Sequence, residues 1–320
     1  MSRVQGEGPV PLAGESSTQT GETFDLEGYL ARSRARVEKG LERTLEDLLP
    51  LIDPGQRGAV RQGITTGGKR LRPVLCMAAY EACGGEDQEA IVDLAVALEL
   101  LHGYSLMHDD LPCMDDAPLR RGVPTPHMVH GEVVTLIGGA ALIPAAHLQG
   151  WRAAGRLGLP DAEARAILQA IAKAVGGEGM VGGQALDLLG EGRRLTRAEL
   201  DQLHRRKTGA LLEVSLSVGA RAALAPAQER KSLEGYGRAI GLAFQIADDV
   251  LDATSDEEVL GKAPSDASLG KSTYVALLGV DGARDEANRL VRKAHEALAR
   301  AELRSPPLEA LASYVVERDR

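Results

Sequence analysis

The sequence predicts an all-α protein, a single large bundle of helices, on three observations. Ala and Leu dominate an apolar share of 44%, while aromatics make up only 3%, a composition that favours helix over sheet. Apolar residues recur at helical spacing in run after run, and no strand-like alternation persists anywhere. No solenoid-type repeat divides the 320 residues, so one continuous bundle is the economical architecture.

Each element follows from its apolar spacing and its punctuation. Residues 1–23 are rich in Gly, Ser, Thr, Pro and Gln and hold too little apolar content to pack, so they read as a disordered N-terminal tail before one domain at 24–320. Leu26, Tyr29, Leu30, Val37, Leu41, Leu45, Leu48 and Leu49 mark a first amphipathic helix, closed by Pro54-Gly55. A second runs from Leu71 to Cys83, with Pro73 near its start, where a missing N–H costs least. Residues 91–108 are apolar nearly all round, which places this helix in the middle of the bundle. Further helices are expected over 132–157, 161–175, 197–222, 227–252, 271–278, 282–301 and 307–318. Their breaks fall at points such as Gly176-Gly177, Gly182-Gly183, Ala225-Pro226 and Ser305-Pro306-Pro307.

A formal charge of −9 argues against nucleic acid as a partner, since backbone binding needs a basic face. Cys76, Cys83 and Cys113 show no metal-ligand spacing, and an odd count in a core-rich chain suggests no disulfide framework. With no apolar run of the ~18 residues that span a bilayer and no apolar signal core, a soluble, cytoplasmic protein without a membrane span is expected.

Two acidic clusters carry the chemistry: Asp109, Asp110 and Asp115, and then Asp248, Asp249 and Asp252. An acidic run by itself is most often solvated surface. Beside apolar, buried segments, however, like charges repel strongly unless a cation neutralises them. Hard oxygen ligands suit Mg²⁺ shared between one or two carboxylates per helix and the phosphates of a substrate, so a diphosphate is the leading ligand. At ~100° per residue Asp248 and Asp252 are offset by ~40° and share a face, whereas Asp109 and Asp115 fall ~120° apart. Pro112 resolves this conflict by disfavouring helix at Leu111. A break at 111–114 should bring Asp115 back beside Asp109.

Gly67-Gly68-Lys69-Arg70-Leu71-Arg72-Pro73, Asp109 to Asp115 followed by Leu119-Arg120-Arg121-Gly122-Val123-Pro124-Thr125, Gly183-Gln184-Ala185-Leu186-Asp187, Lys207-Thr208-Gly209, and Phe244-Gln245-Ile246-Ala247-Asp248-Asp249-Val250-Leu251-Asp252 follow one another in this order. Together they resemble the trans-isoprenyl diphosphate synthases (polyprenyl synthetases), from about residue 25 to the C-terminus. The resemblance implies the isoprenoid synthase fold, a helical bundle around a central cavity. It implies head-to-tail condensation of isopentenyl diphosphate with an allylic diphosphate, three Mg²⁺ per active site, and a homodimer.

Carried residue by residue, the resemblance places Asp109, Asp115 and Asp187 on one side of the metals and Asp248 on the other, with Asp110, Asp249 and Asp252 in direct or water-mediated support. Arg120, Lys207, Lys262 and Lys271 would cradle the allylic diphosphate, because metal alone cannot offset every phosphate charge. Lys69, Arg72, His102 and Arg121 would form the metal-free pocket for isopentenyl diphosphate, although His102 reads equally well as a core histidine. Oxygens at Lys207, Thr208 and Gln245 would face the carbocation, and released pyrophosphate would take the proton. His127 and His130 read as loop caps.

Three positions depart from the family pattern: Ala140 stands where Asp is usual, Val275 where Pro is common, and Pro264 where Gly is usual, beside Asp266. Ala140 would remove a buried carboxylate supporting the first cluster.

Product length should be set where the helix before Asp109 meets the cavity. Tyr104 and Ser105 lie five and four residues upstream, ~6–8 Å deeper at ~1.5 Å per residue. An aromatic there, with two extra residues before Asp115, resembles the bacterial farnesyl diphosphate synthases, so a C15 product is expected, with geranylgeranyl diphosphate (C20) as the nearest alternative. A non-catalytic partner subunit is the rival of another class; it should show damaged acidic or basic motifs, and these are intact. A terpene cyclase, a head-to-head condensing enzyme or a metal-storage protein fits the two sets of cations less well.

Overall fold

A computed structural model describes residues 24–254 and 272–317. In chain order the helices are α1 (Leu26–Leu48), prolonged by a 3-10 turn, α2 (Arg57–Thr65), α3 (Leu71–Ala82), α4 (Ala90–Asp109), α5 (Pro126–His130), α6 (Glu132–Arg156), α7 (Asp161–Val175), α8 (Met180–Gly190), α9 (Arg197–His204), α10 (Ala210–Ala222), α11 (Ala227–Thr254), α12 (Tyr274–Arg300) and α13 (Pro306–Glu317). A π-helical turn, Arg205–Gly209, joins α9 to α10. The architecture is all-α, as the composition predicts.

α4 is the axis of the bundle. Its apolar residues point in every direction, and Leu94, Leu98, Leu100 and Leu101 are fully buried between α3 on one side and α6 on the other. Cutting one such leucine to alanine costs about 2–5 kcal/mol, through lost transfer energy and the cavity left behind. α10 packs on α3 and α11, and α11 on α12, so both helices that carry acidic clusters have buried neighbours. At the start of α3, Arg70 sits in the left-handed region with φ 50°. Its guanidinium reaches Glu38, Glu99 (2.7 Å) and the Ile64 carbonyl, pinning the loop before α3. Removing one partner of such a buried pair costs about 3–5 kcal/mol.

The structure adds elements that the apolar spacing hides. α2 and α5 are too short for a clear period. A further element is a two-residue hairpin, β1 (Leu119–Arg120) with β2 (Val123–Pro124), too short to show alternation. Its turn residues Arg121 and Gly122 both have positive φ, 53° and 76°, the turn form that matches strand twist. α8 runs straight through Gly182-Gly183, where a break is predicted. The segments predicted separately at 271–278 and 282–301 form one element from Tyr274, interrupted by non-helical backbone at Gly279.

By length and composition α4 and α6 are both apolar enough to cross a membrane, a test that the core helix of a globular bundle also passes. α4 is a core helix, buried over most of its length. α6 instead leaves Val133, Leu136, Ile137, Leu148 and Trp151 exposed.

Candidate active site

The first acidic cluster forms where α4 stops. Asp110 caps the helix, and the backbone N–H of Asp115 bonds to the Asp109 carbonyl at 2.9 Å, so the chain doubles back as Pro112 predicts. Burial pushes the Asp109 carboxyl up to about 6; Lys207 and Arg120 oppose the rise, and Asp115 and Asp110 add to it. One half-buried carboxyl thus feels both neighbouring acids and two cations, Arg120 of the hairpin and Lys207 of the π turn.

Asp110 is 1% exposed and faces Arg120, whose Nε lies 2.8 Å from both carboxylate oxygens. The pair ties the hairpin to the end of α4. Arg121, next in the hairpin, donates to the Gly67 carbonyl, so the Gly67–Arg72 motif and the hairpin meet. Arg72, His102 and Arg121 come close enough there to feel one another's charge. Arg72 in the first turn of α3 is lowered to about 10, by burial and then by Arg121, with Glu99 opposing. Burial, followed by Arg72 and Arg121, holds His102 well below the usual imidazole range. Arg72 Nε and His102 Nδ1 are buried without a hydrogen-bond partner among the described residues. Such groups are costly to leave unpaired and mark a place suited to an anion. Lys69 is exposed, its Nζ 5.8 Å from the Tyr314 ring centre on α13.

Elsewhere in the site, α8 presses against the π turn. A Cβ on Gly183 would meet the Lys207 backbone nitrogen at 2.1 Å, and one on Gly241 of α11 would meet Gly209 Cα at 3.0 Å. Only glycines allow these approaches. The contact delivers Lys207, whose Nζ pairs with Asp187 on α8, and Thr208, whose hydroxyl donates to Gln245 Oε1 at 3.1 Å. π turns occur frequently at functional sites. On α11, Asp248 and Asp252 are partly exposed, while Asp249 is buried and accepts the Tyr274 backbone N–H at 2.7 Å.

Among the described residues no three His, Cys, Asp or Glu side chains form a ready metal cage. Mg²⁺ fits such an arrangement, because it keeps waters and shares carboxylates with substrate phosphates rather than occupying an all-protein cage. The raised Asp109 carboxyl beside Asp115 is the observation that calls for a cation.

Residues 56–304 match the Polyprenyl synthetase family. The chain belongs to that family. It is 40% identical over 307 residues to geranylgeranyl pyrophosphate synthase 9, chloroplastic, of Arabidopsis thaliana, covering 94% of this chain and 84% of that protein. The solved FPP/GFPP synthase of Zymomonas mobilis superposes with TM-score 0.79 at 34% identity, over 92% of this chain and all of that one (100%). The geranylgeranyl pyrophosphate synthetase of Pyrococcus horikoshii does so with TM-score 0.80 at 32% identity, over 91% and 99%. The polyprenyl synthetase chain therefore has the isoprenoid synthase fold and is an enzyme, a trans-prenyltransferase.

Other expected positions fall as follows. Tyr104 is 8% exposed, its ring edge-on to His108 at 4.8 Å, and the Ser105 hydroxyl turns back to the His102 carbonyl. Ala140 is exposed, which corrects the expectation of a lost buried carboxylate. Val275 is half-buried, and α12 starts beside it with Thr273 as its cap. His127 is buried against the Thr125 hydroxyl, and His130 reaches Gln62. Lys262, Pro264, Asp266 and Lys271, like residues 1–23, lie outside the described residues.

Sequence reasoning missed His204 and gave Gln184, though part of a quoted motif, no role of its own. Both ring nitrogens of His204 and both amide atoms of Gln184 are buried without partners among the described residues. Their signal was position: one turn before Lys207 and one turn before Asp187.

Proposed function

We propose that the polyprenyl synthetase chain condenses isopentenyl diphosphate head-to-tail with allylic diphosphates. The observation that carries this reading is the gathering, around the half-buried Asp109 carboxyl, of Asp115 from its own cluster, Arg120 from the hairpin and Lys207 from the π turn. Asp109, Asp115, Asp187, Asp248 and Asp252 would hold Mg²⁺, three ions per site in this reading. When bound, Mg²⁺ offsets the negative charge that develops on the departing pyrophosphate.

The chain's own groups do the rest. Arg120, Lys207, Lys262 and Lys271 hold the allylic diphosphate, and Lys69, Arg72, His102 and Arg121 orient the nucleophile in the pocket beside it. The packed helices exclude water that would quench the carbocation. Thr208 and Gln245 oxygens, with backbone carbonyl oxygen from the π turn, face that cation. The released pyrophosphate accepts the proton.

For product length we favour C20 over the C15 expected from the sequence. Geranylgeranyl pyrophosphate synthases recur among the relatives, and Tyr104, packed edge-on to His108, is seated in the wall with little of its ring reaching open space. The test is turnover of purified protein with Mg²⁺, isopentenyl diphosphate and each of the C5, C10 and C15 allylic diphosphates, with products sized by chromatography. C20 is expected; no Mg²⁺-dependent turnover with any starter would sink the reading and revive that of a non-catalytic subunit.

The exposed apolar face of α6 suits pairing with a second copy of this chain, since contiguous apolar patches of this kind mark association surfaces. The free cysteines, with Cys113 at the surface, suit a reducing compartment such as the cytoplasm.

A further inference from the structure

The second acidic cluster contains a carboxylate with a different task. Asp249 is 4% exposed. Its Oδ2 accepts the Tyr274 backbone N–H at 2.7 Å and its Oδ1 accepts the Gln245 side-chain amide at 3.5 Å. A carboxylate is an acceptor only, so Gln245 must turn its Nε2 toward Asp249 and its Oε1 away. That Oε1 receives the Thr208 hydroxyl hydrogen at 3.1 Å. With its hydrogen committed, Thr208 keeps its lone pairs for whatever else faces it.

The bonds continue on the other side. Tyr274, fully buried, donates its hydroxyl to Asp201 on α9 and lies beside the His204 ring, 5.6 Å away. Just before it, the Ser272 hydroxyl donates to the Arg193 carbonyl and accepts the Leu195 N–H. Since α9 runs directly into the π turn, the path leaves that turn at Thr208, crosses α11 at Gln245 and Asp249, enters α12 at Tyr274 and returns to α9 at Asp201. It is a closed brace around the turn that presents Lys207 and Thr208.

We propose that Asp249 is a positioning residue and not a metal ligand: with Tyr274 it fixes the hydrogen-bond polarity of Gln245 and Thr208 and the seat of the π turn. The proposal rests on the prenyl-transfer reading of the same cleft. An amide at position 249 would keep the shape but offer Gln245 an N–H. Gln245 would then flip and donate to Thr208, and the threonine hydrogen would swing toward the cleft, setting the positive end of its dipole against the developing cation.

The experiment compares wild type, Asp249→Asn, Asp248→Asn and Tyr274→Phe by calorimetric titration of pyrophosphate with Mg²⁺, by steady-state kinetics and by thermal melting. Asp249→Asn should bind pyrophosphate and Mg²⁺ within about twofold of wild type and keep both KM values, while kcat falls about 10–100-fold. Asp248→Asn should weaken Mg²⁺-dependent pyrophosphate binding by about tenfold or more. Tyr274→Phe keeps the N–H to Asp249 and loses only the hydroxyl, so its kcat should fall less, again with binding unchanged. Asp201→Asn, which retains an acceptor for that hydroxyl, should keep more of kcat than Asp201→Ala. Binding weakened in Asp249→Asn as much as in Asp248→Asn, or wild-type kcat in both Asp249→Asn and Tyr274→Phe, would overturn the proposal. Wild-type protein that binds no pyrophosphate with Mg²⁺ would overturn the prenyl-transfer reading, and the proposal with it.

Discussion

Tyr104 shows how far a single residue was readable. Its place one turn before Asp109 is plain in the sequence, but the direction of its ring is not, because that depends on His108, whose own Nε2 is held at 2.9 Å from the Leu136 carbonyl of α6. Truncation by Tyr104→Ala opens the wall beside His108, and the product should lengthen by at least one isoprene unit when sized chromatographically. Unchanged product length would remove Tyr104 from the floor. His204 makes a second prediction. Burial lowers its imidazole to about 4, so between the ordinary value near 6.5 and about 4 the unfolded chain takes up a proton that the folded one refuses. Stability from this group is present above about 6.5 and is lost as the pH falls toward about 4. Since neither ring nitrogen has a hydrogen-bond partner among the described residues, His204→Phe should flatten that part of the melting profile at little cost at neutral pH.

Among the elements, α8 and the π turn stand or fall together. Its glycines read as a helix break in sequence because glycine usually weakens a helix; here the missing Cβ lets α8 touch the Lys207 backbone. Gly183→Ala should destabilise the protein by about 1–3 kcal/mol through overpacking and lower kcat more than Gly241→Ala does, because only Gly183 faces the turn's backbone at 2.1 Å. Melting curves and initial rates measure both. The acidic and basic motifs were legible because each lies within a few consecutive residues. The brace was not: its Tyr274 to Asp201 bond joins residues 73 apart, and no local pattern announces it. The hairpin escaped notice because two-residue strands are too short to alternate.

For the molecule as a whole, composition and helical period foretold the bundle, and the all-round apolar run at 91–108 foretold its axis. What they could not tell was which apolar face would be left without cover. α6 shows a stripe with Ile137 and Trp151 both 46% exposed, and Ala140, exposed between them, adds no charge to it. A second copy on this face should make the protein dimeric by light scattering, and Ile137→Asp should shift it toward monomer; a monomeric wild type would end the dimer reading.

Trp151 is the only tryptophan in the chain, and α6 carries it toward its C-terminal end, on the exposed apolar face that pairing would dry. If a second copy covers this face, the indole should move from water to an apolar setting, and the colour of the protein's own emission would then be a gauge of assembly. A simple dilution series in a fluorimeter, with no label attached, would follow it.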